Sequence, residues 1–205
     1  MGLDLTLIAI PNNASFIIDK ARKSNYYATD VDKIHNPNEL RLHLSMVQGI
    51  PAEKDFEDSL TELINDSEYL NSLYPDNVRE KYIFHSRTRG YETLSYLLQQ
   101  YLQQNLQVEN FSKNTFYSGI DIDFAKQHTK LEYIDPTKAV KLSDLLNSIE
   151  FDQLLNYYDY EKMKSHVYKL TTPDNLNTLK EEFIELQQFY QSVKNLGAFI
   201  IVKIS

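Results

Sequence analysis

The chain has 205 residues, of which 42% are hydrophobic, and this is enough to bury the core of one domain of ordinary size. It contains no cysteine, which excludes disulfides, cysteine-ligated metal sites and thiol nucleophiles and is typical of a reducing compartment. Its net charge of −8, from 21 basic and 29 acidic residues, argues against a polyanionic partner such as nucleic acid.

The first fifteen residues have none of the features of an export signal or a membrane anchor. The apolar stretch Leu3–Ile10 is short, is interrupted by Asp4 and Thr6, and follows no basic segment. No later window reaches about 18 uncharged apolar residues. We therefore expect a cytoplasmic protein with no membrane partner.

Hydrophobic periodicity predicts that the fold begins with a strand. Apolar residues alternate with polar ones at the amino terminus, and this strand should end at Pro11. A short helix is predicted over residues 14–23, with Asn13 as its N-cap. Residues 24–54 are weakly patterned, so we expect mainly loops there, with one helix near residues 38–47.

Residues 55–80 carry most of the excess negative charge, with eight acidic residues against Arg79 alone. Apolar residues recur there at helical spacing, which predicts an amphipathic acidic helix that ends near Pro75. The apolar positions are Phe56, Leu60, Leu63, Ile64, Leu70 and Leu73. Four acidic residues fall off this stripe and form a candidate contact surface: Glu57, Asp58, Glu62 and Asp66.

Four further helical segments are predicted in the middle of the chain. Residues 89–104 repeat the helical spacing. At Asp135-Pro136 the aspartate can accept free backbone N–H groups and the proline has none to lose, so a helix should begin there and extend to Ile149. Asp152 and Asp159 are the expected caps of two short helices.

Two more strands are predicted, over residues 131–134 and 198–204. The second is almost continuously apolar and β-branched, which suits a strand that is covered on both faces. It follows an amphipathic helix over residues 176–193, and Gly197 is the expected left-handed terminator of that helix. The predicted fold is a helix-rich α+β domain over residues 1–205, with a small mixed sheet that includes the amino-terminal and carboxy-terminal strands.

Several motifs of the carboxy-terminal half are similar to those of a known protein family. They are Tyr133-Ile134-Asp135-Pro136, Phe151-Asp152-Gln153-Leu154-Leu155, Tyr158-Asp159, Lys162-Met163, and the helix from Phe183 to Tyr190 followed by Gly197-Ala198-Phe199. This pattern resembles the YfbM-like family of bacterial proteins. The chain departs from the family at Tyr168-Lys169 and over residues 24–80. The resemblance implies the fold and a bacterial cytoplasmic setting, but the family has no known function and supplies no catalytic residues.

The sequence shows no arrangement typical of metal or cofactor binding. The five histidines, at positions 35, 43, 85, 128 and 166, lack the spacing of a helical or strand metal site. The carboxylate pairs Asp30/Asp32 and Asp121/Asp123 could face a hard cation, but no further oxygen ligands follow, so solvated loops are favoured. Glycine-rich phosphate loops are absent. We predict no cofactor and no metal.

Hydrolase and nucleic-acid chemistry are also disfavoured. Ser86 and Ser118 lack the base and the oxyanion-stabilising turn that a nucleophilic serine needs. The stretch Lys81–Arg89 is basic, and on a strand Arg87 and Arg89 would share a face that could meet phosphate. Two arginines beside an acidic segment make a poor polyanion site, so pairing of this stretch with the acidic helix is favoured.

Tyrosine is in excess, with 15 residues, and three of them cluster at Tyr157, Tyr158 and Tyr160. Tyrosine is enriched in protein interfaces, but it also fills cores with its hydroxyl at the rim. We add these three residues to the candidate contact surface, and ordinary packing remains the alternative.

The absence of a catalytic constellation and the acidic helix favour a non-enzymatic protein that binds a basic protein partner, for instance in an immunity or antitoxin-like role. The simpler interpretation of the acidic residues on this helix is that they form a helix face exposed to solvent. The alternative function is a small enzyme with a pocket at His85, Arg87, Arg89 and Tyr91. A concave pocket with these side chains would favour the enzyme, and a flat acidic and aromatic face the binding protein.

Overall fold

The centre of the fold is a five-stranded sheet in which the first and last strands are neighbours. The computed structural model describes residues 4–75, 79–86, 90–105, 115–122 and 130–204. The strands are β1 (Leu5–Ile10), β2 (Ile83–His85), β3 (Ile120–Asp121), β4 (Lys130–Ile134) and β5 (Phe199–Ile204), in the order β2-β1-β5-β4-β3. This confirms the helix-rich α+β fold, although the described strand pairs are all antiparallel where we predicted a mixed sheet.

The two central strands are covered on both faces, as the apolar sequence of β5 predicts. All six residues of β1 and five of the six in β5 are buried. The polar residues among them reach partners at the sheet margin: Thr6 Oγ1 lies 3.0 Å from His85 Nδ1, and Lys203 Nζ donates to Asp32 and to the Thr29 carbonyl. Polar side chains are therefore tolerated in the central strands because each one is hydrogen-bonded.

Nine helices surround the sheet within the described residues. They are α1 (Phe16–Lys23), α2 (Asn25–Asp30), α3 (Pro37–Val47), α4 (Lys54–Leu73), α5 (Tyr91–Asn105), α6 (Pro136–Asn147), α7 (Phe151–Leu155), α8 (Tyr160–Met163) and α9 (Leu176–Leu196). The predicted long helices are confirmed as α4, α5, α6 and α9. None of the described helices is both long and apolar enough to cross a membrane.

The helix expected near residues 38–47 is confirmed as α3, but the expectation that the rest of residues 24–54 is mainly loop is wrong. Short helices and turns fill most of it, namely α2, a 3-10 turn at Val31–Lys33, and α3. Asn36 caps α3, since its Oδ1 accepts the backbone N–H of Glu39 at 3.3 Å. Helix α2, with six residues, has too few turns for a helical period to be recognised in its sequence.

Two of the predicted helix caps are wrong and two are confirmed. Asn13 lies in a 3-10 turn, so α1 begins two residues later than expected, after Ser15. The residue before α7 is Glu150, whose backbone N–H donates to Gln153, so Asp152 is not the cap. Asp135 and Asp159 are caps, since each accepts a backbone N–H three residues ahead, at 3.0 and 3.1 Å.

Helix α9 packs along α6 and contacts β2, while α4 packs on α2 and α3. Helix α9 ends at Gly197, whose φ of 61° lies in the left-handed region, as predicted. The Cβ of any other residue would be strained there. The turn sends the chain directly into β5, and this fixes α9 beside the sheet.

Candidate functional site

The exposed residues of α3, of α4 and of the connection between them form one surface, here called the α3–α4 surface. The two helices are joined by a turn at Gly49, where φ is 82°. The backbone N–H of Gly49 donates to Glu57 Oε2 at 3.4 Å, and Arg41 of α3 pairs with Glu68 of α4. These contacts hold the helices side by side.

Three of the four acidic residues that we singled out on α4 lie in or near solvent. Asp58 and Glu62 are exposed, Glu57 is half-buried, and Asp55 adds a further exposed carboxylate. Glu62 forms an ion pair with Lys20 of α1, with 2.9 Å between Oε1 and Nζ. The outer side of α4 is therefore acidic and open to solvent.

The fourth residue, Asp66, was placed on the outer side of the helix, and this placement is wrong. Its relative exposure is 7%. Lys20 Nζ donates to both carboxylate oxygens, at 2.9 and 2.7 Å, and the Tyr27 hydroxyl donates to Oδ2 at 2.8 Å. Asp66 therefore fastens α4 to α1 and α2 and cannot be part of an open contact surface.

The surroundings of Asp66 shift the pKa values of both of its partners. Burial and the charge of Asp66 raise the pKa of Tyr27 far above its usual value, so the tyrosine stays a neutral donor. Burial alone would lower the pKa of Lys20, but hydrogen bonds to Asp66 and Glu62 outweigh it and raise that pKa. The contact is thus a carboxylate held by one ammonium and one neutral hydroxyl.

Apolar side chains stand in solvent on the same surface. Leu42 and Met46, one turn apart on α3, are 58% and 65% exposed, and Ile50 in the connection is 44% exposed. Tyr26 of α2 packs its ring 5.5 Å from that of Phe56 at the start of α4. Single exposed apolar residues are ordinary, but three within one helical hairpin that also carries exposed carboxylates are more than is usual.

The tyrosine cluster belongs to a different part of the fold. Tyr157 accepts a hydrogen bond from Asn105 Nδ2 at 2.8 Å and packs edge-on against Tyr101 of α5. The Tyr158 hydroxyl donates to the Thr171 carbonyl at 2.6 Å, and Tyr160 lies under Lys164 Nζ at 4.7 Å. Helix α7, which precedes these tyrosines, packs on α5, whereas α4 packs on α2 and α3. The tyrosines are therefore not part of the α3–α4 surface.

A cavity of about 380 Å³ lies at the edge strand β2. It is bounded by β2 and the turn before it, by α9, and by the connection between α2 and α3. Its lining residues are His35, Glu80, Lys81, Ile83, Phe84, His85, Glu185, Gln188 and Phe189. The cavity therefore combines an apolar floor with imidazole, carboxylate, amide and ammonium groups.

Two of the four residues of the predicted enzyme pocket lie in the described part of the chain, and the cavity contains one of them. His85 lines it, while Tyr91 is not among the lining residues and is buried, with its ring edge-on to that of Tyr117. Arg87 and Arg89 lie outside the described residues. His35, Glu80 and Glu185 were not predicted, because they come from three segments far apart in the chain and no local spacing links them.

The other residues considered for chemistry have mainly structural surroundings. Ser86 donates its hydroxyl to the buried Glu182, and the carbonyl of Ser118 accepts from Lys138 Nζ at 2.7 Å. His166 stacks on Tyr96, with 6.0 Å between ring centroids.

Both members of one carboxylate pair, Asp30 and Asp32, are engaged in ion pairs. Asp30 is buried and pairs with Lys33 at 2.5 Å, with His43 Nδ1 at 3.6 Å, and Asp32 pairs with Lys203. The solvated loop that we expected for this pair is therefore wrong. Asp123 and His128 lie outside the described residues, and among those described no group of three or more histidine, aspartate or glutamate residues could hold a metal ion.

Comparison with known proteins gives one match. A family model for a domain of unknown function, DUF1877, matches residues 57–202, which include most of α4, β2, α9 and most of β5. No curated protein and no solved structure matches the chain. Leu42, Met46 and His35 lie before the matched region.

Proposed function

The chain belongs to the DUF1877 family of domains of unknown function, and we propose that it acts by binding a basic protein partner on the α3–α4 surface. One observation carries the proposal: exposed carboxylates of α4 stand in the same helical hairpin as the exposed Leu42 and Met46. An immunity or antitoxin-like role, in which this surface covers a basic effector, is one form that such binding takes.

The two kinds of side chain have different tasks in this proposal. The exposed acids Asp55, Asp58 and Glu62 attract a basic partner and raise the rate of association, an effect that salt screens. Leu42 and Met46 supply apolar area that is withdrawn from water on contact, which slows dissociation. Asp66 has no part in binding, since its charge is already used inside the fold.

A charge-reversed variant tests this surface, and because Glu62 also pairs with Lys20, urea denaturation first checks that the variant keeps the stability of the wild type. In the site variant Asp55→Lys, Asp58→Lys and Glu62→Lys are combined. In the control variant three exposed acids of other elements are reversed: Glu161→Lys, Asp174→Lys and Glu181→Lys. Each set of three reversals adds six units of charge and changes the net charge from −8 to −2, so the two variants differ only in where the charge lies.

The measurement is the association rate with the partner purified from the native host, at low and at high salt. We expect the site variant to associate at least about tenfold more slowly at low salt, with a smaller difference at high salt, and the control variant to stay close to wild type. Equal slowing in both variants would mean that only net charge matters and would remove the surface from the proposal. Unchanged rates in both would remove electrostatic capture altogether.

We further propose a bacterial cytoplasmic setting and one domain over residues 1–205, as the resemblance to the YfbM-like proteins implies. The net charge of −8 supports a protein without affinity for DNA or RNA, since a negative surface gains no counterion release from a phosphate backbone.

A further inference from the structure

Methionine is the only type of residue through which this chain can take part in sulfur chemistry, since cysteine is absent. The chain has three methionines, of which Met1 lies outside the described residues. Met46 of α3 is 65% exposed, whereas Met163 of α8 is 0% exposed. Oxidation of sulfur by peroxides follows exposure. Within the described part of the chain, Met46 is therefore the thioether that a dissolved peroxide reaches directly.

Met46 lies on the side of α3 that does not hold the helix to the fold. Leu40 is buried, and Leu44 and Val47 pack against the hydrophobic core. Met46 follows Leu42 by one turn on the exposed side of the helix, where Leu42 is 58% exposed. A polar atom added to Met46 would remain in water, so it should leave the stability of the fold nearly unchanged.

We propose that Met46 is a reversible oxidation site at which a peroxide weakens binding on the α3–α4 surface, an inference that rests on the proposed function. In this step the O–O bond of hydrogen peroxide breaks, one oxygen atom forms an S=O bond with the thioether, and the other leaves as water. The sulfur loses two electrons, and these reduce the peroxide. Methionine sulfoxide reductases reverse the step, with a dithiol that is oxidised to a disulfide and with release of the oxygen as water.

The sulfoxide changes the apolar part of the surface and leaves its charges as they are. The thioether of Met46 is apolar and adaptable, as methionines of binding surfaces generally are. The sulfoxide oxygen is hydrogen-bonded to water, and covering it without a donor is unfavourable. Oxidation should therefore speed dissociation of a partner, whereas the association rate, which depends on the exposed carboxylates of α4, should change little.

The first test maps the oxidation and needs no partner. The wild-type chain is treated with hydrogen peroxide, and mass spectrometry of its peptides gives the oxidation rates of Met46 and Met163 separately. We expect Met46 to be oxidised at least about tenfold faster, with an unchanged midpoint of urea denaturation after Met46 alone has reacted. Equal rates, or a midpoint that falls as Met46 is oxidised, would overturn the proposal.

The second test measures binding of melittin, a basic amphipathic peptide that contains neither methionine nor cysteine. After removal of the peroxide, melittin should dissociate at least about fivefold faster from the oxidised wild type than from the untreated chain. Met46→Gln, which imitates the polar sulfoxide, should show the same faster dissociation without peroxide. Met46→Leu, which keeps the apolar area, should bind like the untreated wild type before and after treatment. Reduction by a methionine sulfoxide reductase should restore the slow dissociation.

Two results separate a failure of this inference from a failure of the proposed function. If the charge-reversed site variant captures melittin more slowly than the control variant, but neither oxidation nor Met46→Gln changes its dissociation, the inference is overturned and the surface remains. If melittin binds none of the forms, or binds the site and control variants equally well, the proposed function and this inference fail together. Faster dissociation after peroxide treatment of Met46→Leu would place the effect at another residue and overturn the assignment to Met46.

Discussion

Helices α4 and α9 are nearly equal in length, at 20 and 21 residues, yet different interactions hold them in place. Helix α9 packs along α6 and buries a row of large apolar residues, including Phe183 and Phe189. Helix α4 also buries leucines, but part of its attachment is the polar contact of Asp66 with Lys20 and Tyr27.

The difference shows how far an apolar stripe specifies the position of a helix. Apolar burial is non-directional and grows with the area removed from water, so the spacing of apolar residues is enough to place α9. A buried carboxylate is tolerated only where hydrogen-bond donors or cations contact it, and for Asp66 these groups come from other helices. The position of α4 thus depends on residues about forty positions earlier in the chain.

The largest expected loss of stability follows from the removal of an apolar contact of α9. Phe183 is 1% exposed and packs on Phe151, with 5.8 Å between ring centroids. Phe183→Ala should lower the free energy of unfolding by about 3–5 kcal/mol. Phe56→Ala on α4 is the counterpart, and because Phe56 is only half-buried we expect less than half of that loss. Urea denaturation measures both, and a larger loss for Phe56 would reverse the comparison.

The next effect concerns the polar anchor of α4. Asp66→Ala leaves the buried Tyr27 hydroxyl without its acceptor and the half-buried ammonium of Lys20 with Glu62 alone, which should cost about 2–4 kcal/mol. Asp58→Ala, at an exposed position of the same helix, should change stability by less than about 0.5 kcal/mol. Equal losses in the two variants would show that the anchor contributes nothing beyond helix propensity.

A smaller effect is expected at the carboxy-terminal ends of the two helices. Gly197→Ala forces a Cβ into the left-handed region and should cost about 1–2 kcal/mol. Helix α4 ends differently, with Tyr74 extended before Pro75, as the residue before a proline generally is. Pro75→Ala should therefore cost less than Gly197→Ala. Thermal unfolding of both variants is the measurement, and the reverse order would show that the left-handed terminator is unimportant.

The smallest expected effect is a change of stability with pH that arises at His35, in the connection between α2 and α3. Because burial and His85 lower the pKa of His35 below 6.5, the unfolded chain binds a proton there more readily than the folded one. Stability contributed by neutral His35 is present above about pH 6.5 and is lost as the pH falls below it.

The measurement is urea denaturation between pH 7.5 and pH 5.5. The charged groups near His35 are Asp32, Glu39, His85, Glu80, Lys81 and Glu185. His35→Gln should flatten the loss of stability toward low pH, whereas Phe183→Ala should keep the wild-type slope. An unchanged slope in His35→Gln would assign the pH dependence to another group.

The sequence was sufficient to predict the helices with many regular turns and the strands with continuous apolar runs. Helices α5 and α9 and strand β5 were placed within three residues of their observed bounds, because the burial of one face or of both faces dictates the spacing of their apolar residues. Helix α2 was missed because six residues, with Tyr26 exposed and Tyr27 buried, are too few to establish a period.

The sites were harder to predict, for a different reason. Asp66 looks like any other acid beside an apolar stripe, and only the approach of Lys20 and Tyr27 in the folded state makes it an interior residue. The cavity joins His35 to His85 across the α2–α3 connection and an edge strand, and no local pattern encodes that proximity. His85 was singled out for its basic neighbours rather than for the cavity that it lines.

The pairing of β1 with β5 has a consequence for synthesis of the chain. Leu5 lies opposite Ile204, so the two central strands come from opposite ends of the described sequence. Helices α3 and α4 can pack as soon as both have left the ribosome, whereas β1 has no β5 to join until residues 199–204 are made. At about 5–20 residues per second that interval lasts roughly ten seconds or longer. Throughout it the apolar strand LTLIAI lacks one of its two neighbouring strands, so slowing elongation should raise aggregation of the nascent chain.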